Sequence, residues 1–493
     1  MKTAGVLCPV ASLPGTYGIG DFGASAYEFI DILAEMGVGI WQVLPLNSLG
    51  YGHSPYQPLS SFAGETSFID LKSLEEDGYL YKAPEAFAEK STKVLYEEIA
   101  AYKQRYFREA FETFVSMGEK PADYEAFIEE DWVKPYAIFA ALKKRNGGRA
   151  WIEWPEEDKK GYTFEDMPEE IAYNVYLELF LQYEFRVQWL RILDYAHSKN
   201  IKIMGDIPIY VGHDSLDVYG DRDEFLLDSQ GYPTSVAGVP PDYFSAVGQR
   251  WGNPIYNWQK IEENGFRFWK DRLIGVSKMF DLVRIDHFLA FSAFWQIPAT
   301  CPTAMEGAWI PAPGYEMFDA VLPTLGKTQI VAEDLGLITD KVIALRDHYG
   351  FPGMNVIQFT INDPGFKMRK NMISYTGTHD NDTIESFYLK MDDYGRSQFD
   401  ERLREKGIDP TVGKKHEQAV EFAMLLPTDT VIIPVQDILG FTNEFRTNCP
   451  GIVDDFNWTF KLADLTGMKA RISWFKGMIE KGRRAETERE NLI

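Results

Sequence analysis

"FDLVRIDHF" (280–288) begins as an apolar strand and ends on polar chemistry, with an arginine, an aspartate and a histidine inside residues 284–287. Strand side chains alternate faces, so Leu282, Arg284 and Asp286 share one side and Val283 and Ile285 the other. A co-facial charge pair costs desolvation, so it is either a tolerated structural device or the floor of a site. Apolar runs of this kind recur: "AGVLCPV" (4–10), "GIWQVLPL" (39–46), "IKIMGDIPIYV" (201–211), "TQIVAEDLG" (328–336), "MNVIQFTI" (354–361), "SYTGTHD" (374–380) and "DTVIIPV" (429–435). Helical patterns separate several of them, such as "ASAYEFIDILAEMG" (24–37) and "DKVIALRDHYG" (340–350). Strands alternating with helices predict an α/β fold with a parallel sheet, and eight such units point to a (β/α)8 TIM barrel over a doubly wound sheet.

The 493 residues suffice for one large domain with insertions, or for two to three domains. The expectation is a single catalytic barrel over residues 1–493 with no separate C-terminal β-sandwich. A mainly helical insertion is expected at 75–195, between strands two and three. There Ile99, Tyr102, Tyr106, Ala110, Phe111 and Phe114 form one helical stripe, and Trp132, Tyr136, Phe139 and Leu142 another, with a kink at Pro135. Residues 214–256 are rich in Gly, Pro and Asp and read as a long loop, of which 236–256 is expected to be an active-site lid. "KGRRAETEREN" (481–491) reads as a frayed, charged helix end.

Lys and Arg number 50 against 74 Asp and Glu, a formal charge of −24 that repels phosphate backbones and anionic lipid. Nucleic acid and membrane surfaces are therefore excluded as partners. The three cysteines, Cys8, Cys301 and Cys449, lie far apart with no CxxC spacing, which fits a reducing compartment. No signal peptide is evident, and no stretch approaches the roughly 20 apolar residues of a membrane span. A cytoplasmic protein is expected; oligomeric state is not legible.

Catalytic groups of such a barrel come from the C-terminal ends of its strands. Asp206, Asp286, Glu333, and His379 with Asp380 all fall at such ends. Any one of these acids reads equally as a cap or turn former. Together, and joined by Arg284, they converge on one mouth. Two carboxylates, one charged and one kept protonated, are the machinery of glycosidic bond cleavage. "THDND" (378–382) and "GHDS" (212–215) look ligand-like, but the chain has no HxH and no HExxH, and its seven histidines are scattered, so no metal and no cofactor is expected. The 12 Trp and 26 Tyr supply flat faces that serve sugar clefts or large cores alike.

Eight motifs, in order, carry a resemblance: "SLPGTYGIGDFG" (12–23), "WQVLPL" (41–46), "SPYQPLSSFAG" (54–64), "GDIPIYV" (205–211), "VAGVPPDYFSAVGQRWGNPIY" (236–256), "RIDHF" (284–288), "AEDLG" (332–336) and "GTHDNDT" (377–383). The chain resembles the 4-α-glucanotransferases of glycoside hydrolase family 77, the amylomaltases or disproportionating enzymes. The resemblance implies a retaining double displacement that moves a maltooligosaccharide segment of an α-1,4-glucan donor to the 4-hydroxyl of an acceptor glucose or glucan. Asp286 would be the nucleophile, Glu333 the acid and base, and Asp380 the group that holds the distorted sugar ring. Arg284 can keep Asp286 ionised and oriented. Tyr56, Asp206 and His379 match positions that hydrogen-bond or stack on the same sugar, while His287 supports the site. In the lid segment, Tyr243, Phe244 and Trp251 offer apolar cover, and Asp242, Gln249 and Asn253 offer hydrogen bonds.

The chain departs from the family pattern at Leu289–Ala290, where Arg-Gly is common, and at Glu65, where an asparagine is usual. "RTNCPG" (446–451) and "NWTF" (457–460) keep only part of the usual pattern. An α-amylase-like hydrolase and a catalytically silent glucan-binding protein are the competing readings. The three acids favour an enzyme, because binding alone needs no protonated acid opposite a nucleophile.

Overall fold

The computed structural model describes residues 2–86, 91–241, 245–336, 338–363, 365–452 and 454–484. Its strands are β1 (Thr3–Leu7), β2 (Ile40–Gln42), β3 (Lys202–Ile207), β4 (Ser235–Val239), β5 (Gln249–Pro254), β6 (Leu282–Ile285), β7 (Ala293–Pro298), β8 (Ala308–Pro311), β9 (Gln329–Ala332), β10 (Gly353–Val356), β11 (Met372–Tyr375) and β12 (Thr430–Pro434). Eight of them, in the order β10-β11-β12-β1-β2-β3-β6-β9, make one parallel sheet. These are the eight apolar runs of the sequence. The Ala332 N–H donates to the Pro352 carbonyl at 2.9 Å and closes the β9–β10 seam, giving a (β/α)8 barrel.

Parallel strands buried on both faces read as continuous apolar runs, and here each face has its own core. Leu7, Ile40, Met204, Leu282, Val331, Met354, Ile373, Tyr375 and Ile432 fill the barrel. Val6, Trp41, Ile203, Val283, Ile285 and Ile330 pack outward against the helices. The inward parity of Met204 and Leu282 continues one step towards the C-terminal mouth, to Asp206 and Arg284. These two stand opposite each other in the β3–β6 register. The apolar filling thus ends where charge begins.

Strands β5-β4-β7-β8 form a second, antiparallel sheet beside the mouth. Residues 236–256 are therefore not a plain loop: β4 and β5 pair as an irregular hairpin whose tip, 242–244, lies outside the described residues. Glycines hide the strand alternation. A Cβ on Gly238 would lie 2.1 Å from the Gln249 carbonyl oxygen, so the hairpin closes only around a residue without a side chain.

Between β2 and β3 the main helices are Tyr96–Ser116, Tyr124–Ile128, Val133–Arg145 and Glu169–Ser198. Pro135 makes no kink, because its helix begins at Val133 and the first turn needs no N–H from it. The 30-residue helix Glu169–Ser198 braces the mouth: Gln182 bonds the N–H and carbonyl of Gly64 at 2.8 and 3.0 Å, and Gln188 accepts the Asp70 N–H at 2.8 Å. The loop carrying Tyr56 is thereby held to the insertion. The described chain ends in helix Ile472–Lys481 and a buried Arg484 that donates to the carbonyls of Met424, Leu426 and Thr428. The expected frayed end is thus anchored through 484, and 485–491 lie outside the described residues. Among the described residues no helix is long and apolar enough to cross a membrane.

Candidate active site

The charged layer above the barrel core is built on Arg284. One guanidinium nitrogen donates to Asp286 Oδ1 at 2.7 Å and the other terminal nitrogen to Asp206 Oδ2, an oxygen that also receives the Tyr56 hydroxyl at 2.7 Å. Arg284 and Asp206 are buried, whereas Asp286 keeps 30% of its side chain exposed. Burial pushes Asp206 upward, to about 6, against the pull of Arg284 and with the charge of Asp286 adding to the rise. A fixed planar fork thus aims one carboxylate outward by anchoring on another.

Just past β6 the backbone turns at His287, which takes a left-handed conformation with φ of 51°. That turn directs the His287 N–H to Glu333 Oε2 at 2.8 Å. The Phe288 N–H donates to the Glu333 carbonyl at 3.1 Å, and the Glu333 N–H to the Ile285 carbonyl at 3.1 Å, lacing the ends of β6 and β9 together. Burial drives Glu333 up to about 8, the neighbouring Asp286 charge adds to the rise, and Arg284 and the His287 N–H oppose it. Burial also lowers His287 to about 4, so its imidazole is neutral at pH 7. Its ring meets the Trp251 ring edge-on at 4.7 Å. A carboxyl that keeps its proton at neutral pH stands next to a carboxylate gripped by arginine. Such a pair can supply an acid and a nucleophile to one bond.

Asp380 completes the acids after β11. Burial alone would raise it, but His379 Nε2 at 3.3 Å, the Asn448 amide at 2.6 Å and the more distant Arg284 outweigh burial and hold it at about 2. The Tyr56 ring stacks on the His379 ring at 5.1 Å and 14°, and the Trp458 ring lies 5.7 Å from Tyr56. These aromatic and acidic groups open onto a cleft of about 630 Å3 lined by Tyr56, Trp251, Asp286, Asp380, Asn448 and Trp458.

Gln249, Trp251 and Asn253 all line this cleft, and the first two bond each other, indole N–H to amide oxygen, at 3.2 Å. Asn253 is buried with both amide atoms engaged: it donates to the Val211 carbonyl at 2.9 Å and accepts from Gln57 at 2.9 Å. Its amide fastens the hairpin to the rest of the mouth. Asp242, Tyr243 and Phe244 lie outside the described residues. Leu289 and Ala290 pack into the outer core, and Glu65 caps a short turn by accepting the N–H groups of Ser67 and Leu49 at 3.0 and 2.9 Å. Both departures from the family pattern are thus absorbed structurally.

Residues 8–466 match the description of the 4-alpha-glucanotransferases, glycoside hydrolase family 77. This chain belongs to that family. The 4-alpha-glucanotransferase of Thermus thermophilus is 40% identical over 485 residues, covering 94% of this chain and 95% of its own. That of Streptococcus pneumoniae is 38% identical over 481 residues, 94% of each chain. The solved amylomaltase of Streptococcus agalactiae in complex with acarbose superposes with a TM-score of 0.91 at 34% identity, covering 99% of this chain and 100% of its own. An amylomaltase from Corynebacterium glutamicum, at 16% identity and a TM-score of 0.78, shares the fold.

The family motifs point to Asp286, Glu333, Asp380 and its partner His379, but not to Asn448, the other side chain that bonds the Asp380 carboxylate. Asn448 lies 68 residues from its partner, and Trp458 enters from a short segment with no strand or helix pattern. The amide in "RTNCPG" and the aromatic in "NWTF" were the available signals.

Proposed function

We propose that the chain transfers a segment of an α-1,4-glucan to the 4-hydroxyl of an acceptor sugar by a retaining double displacement. The observation that carries this reading is Glu333, raised to about 8 beside an arginine-bound Asp286. An Asp286 oxygen attacks the anomeric carbon while Glu333 gives its proton to the departing glycosidic oxygen. The C–O bond breaks, a glycosyl ester forms on Asp286, and the released glucan leaves. Glu333, now a carboxylate, takes the proton of an incoming 4-hydroxyl. The acceptor oxygen bonds the anomeric carbon and the ester breaks, which restores both acids. Asp380, with Tyr56 and His379 stacked beside it, binds hydroxyls of the sugar being cleaved, and Asp206 steadies Arg284 and Tyr56. Each proton and bond is accounted for without a cofactor.

Transfer requires that water be kept from the glycosyl ester. In this reading the β4–β5 hairpin, with Trp251 against His287 and bonded to Gln249, is the shield, and residues 1–493 act as one catalytic unit with 75–195 as its helical insertion. A cytoplasmic setting is part of the reading. It draws support from Cys8, Cys301 and Cys449, none of which is in a disulfide. Maltotriose incubation followed by thin-layer chromatography tests the whole. Longer oligomers with glucose are expected, and short products alone would replace transfer by hydrolysis.

A further inference from the structure

The chain after β12 folds back over the loop after β11. Arg446 is at its centre, partly buried, with 15% of its side chain exposed. Every guanidinium nitrogen is committed: Nε donates to the Asn448 carbonyl at 2.6 Å, Nη1 to Asp382 Oδ1 at 2.5 Å, and Nη2 to the Asp380 carbonyl. Asp382 is itself fixed from two other sides, by the Asn443 amide at 2.7 Å and Lys390 Nζ at 2.8 Å. Asn448 in turn donates its N–H to the His379 carbonyl at 3.1 Å and its amide to Asp380 Oδ1 at 2.6 Å. One planar fork therefore holds the main chain of Asp380 and the main chain of the residue that orients its carboxylate. Arg446 does not line the 630 Å3 cleft, whereas Asp380 and Asn448 do.

Resting on the proposed transfer reaction, we propose that Arg446 is a positioning residue: it registers Asp380 against the sugar through Asn448 without touching the glucan. Geometry and not charge is the requirement. The three bonds leave in three directions of one rigid plane, which an ammonium on a flexible stem cannot reproduce. A misplacement of about 1 Å at a group that meets the distorted sugar costs on the order of a hundredfold in rate.

The test is a double-substitution cycle. Arg446→Met and Arg446→Lys should each lower kcat on maltotriose by about 10–100-fold and move KM by less than about threefold. Acarbose affinity, measured by calorimetry, remains readable when turnover is lost. Arg446→Met should weaken it about tenfold in the wild-type background and less than about twofold in Asp380→Asn, because the residue acts through Asp380. Equal losses in both backgrounds, or full activity in Arg446→Lys, would overturn the assignment. If Arg446→Met fails to fold by circular dichroism, Arg446→Lys carries the same cycle. A wild-type chain that makes no longer oligomers from maltotriose refutes the reaction itself, and a working wild type with an additive cycle refutes only the role of Arg446.

Discussion

Replacing Glu333 with glutamine should silence turnover and, at the same time, make the folded protein more stable at neutral pH. In the unfolded chain this carboxyl loses its proton near its ordinary value of 4.5, whereas the folded protein retains the proton to about 8. The folded pKa is raised, so the stability linked to this proton is complete below pH 4.5 and is lost as pH rises through about 8. At pH 7 the loss spans ~2.5 pH units at ~1.4 kcal/mol each, about 3–4 kcal/mol in all. Glutamine carries no proton to lose and keeps an oxygen for the His287 N–H, now at 2.8 Å. The expected gain is about 1–3 kcal/mol at pH 7.5 and less than about 1 kcal/mol at pH 5. Urea unfolding of both proteins at the two pH values, followed by tryptophan fluorescence, measures the difference of differences. A gain that is equal at pH 5 and pH 7.5, or a loss at pH 7.5, refutes the claim that Glu333 is held protonated by its surroundings.

Asp286→Asn should abolish turnover on maltotriose, by more than ~10⁴-fold, and leave glucan affinity within a few fold, because the amide keeps the shape and loses the nucleophile. Affinity lost in parallel with turnover would mean that Asp286 serves binding. Glu333→Gln supplied with an α-glycosyl fluoride, whose leaving group needs no acid, should accumulate a covalent sugar, and mass spectrometry should place it on Asp286. A label elsewhere overturns the roles. In the wild type, kcat/KM should fall as pH rises past about 8, where Glu333 loses the proton it donates. A profile flat to pH 9.5 contradicts this. Trp251→Ala should raise the ratio of hydrolysis to transfer more than it lowers donor cleavage; an unchanged ratio with an intact fold removes the hairpin from the control of water.

The barrel was legible because each of its strands is covered on both faces, so burial wrote an uninterrupted apolar run at each one. The second sheet was not. Strands β4 and β5 carry glycines where their backbones meet, and the partner of β4 on its other edge is β7, across the whole of β6, so no local pattern announces the pairing. Arg284 and Asp286 could be placed on one face by counting, but which side was the interior depended on Leu282 joining the barrel filling. Pro135 was misread because a helix start can be seen only from its hydrogen bonds. Apart from the adjacent His379, the anchors of Asp380 are the side chains of Arg446 and Asn448, which arrive from a distant C-terminal segment with no strand or helix period to announce them.

Strand β1 lies between β2 and β12, with Thr3 opposite Thr430. On the ribosome the second edge of that strand has no partner until Thr430 and its neighbours have been made. At ~5–20 residues per second the wait is roughly 20–90 s, during which an apolar strand offers unpaired N–H and carbonyl groups to any neighbouring nascent chain. The parallel barrel therefore sets a clock: faster translation of the residues between β1 and Thr430 shortens the time for which that edge stands open.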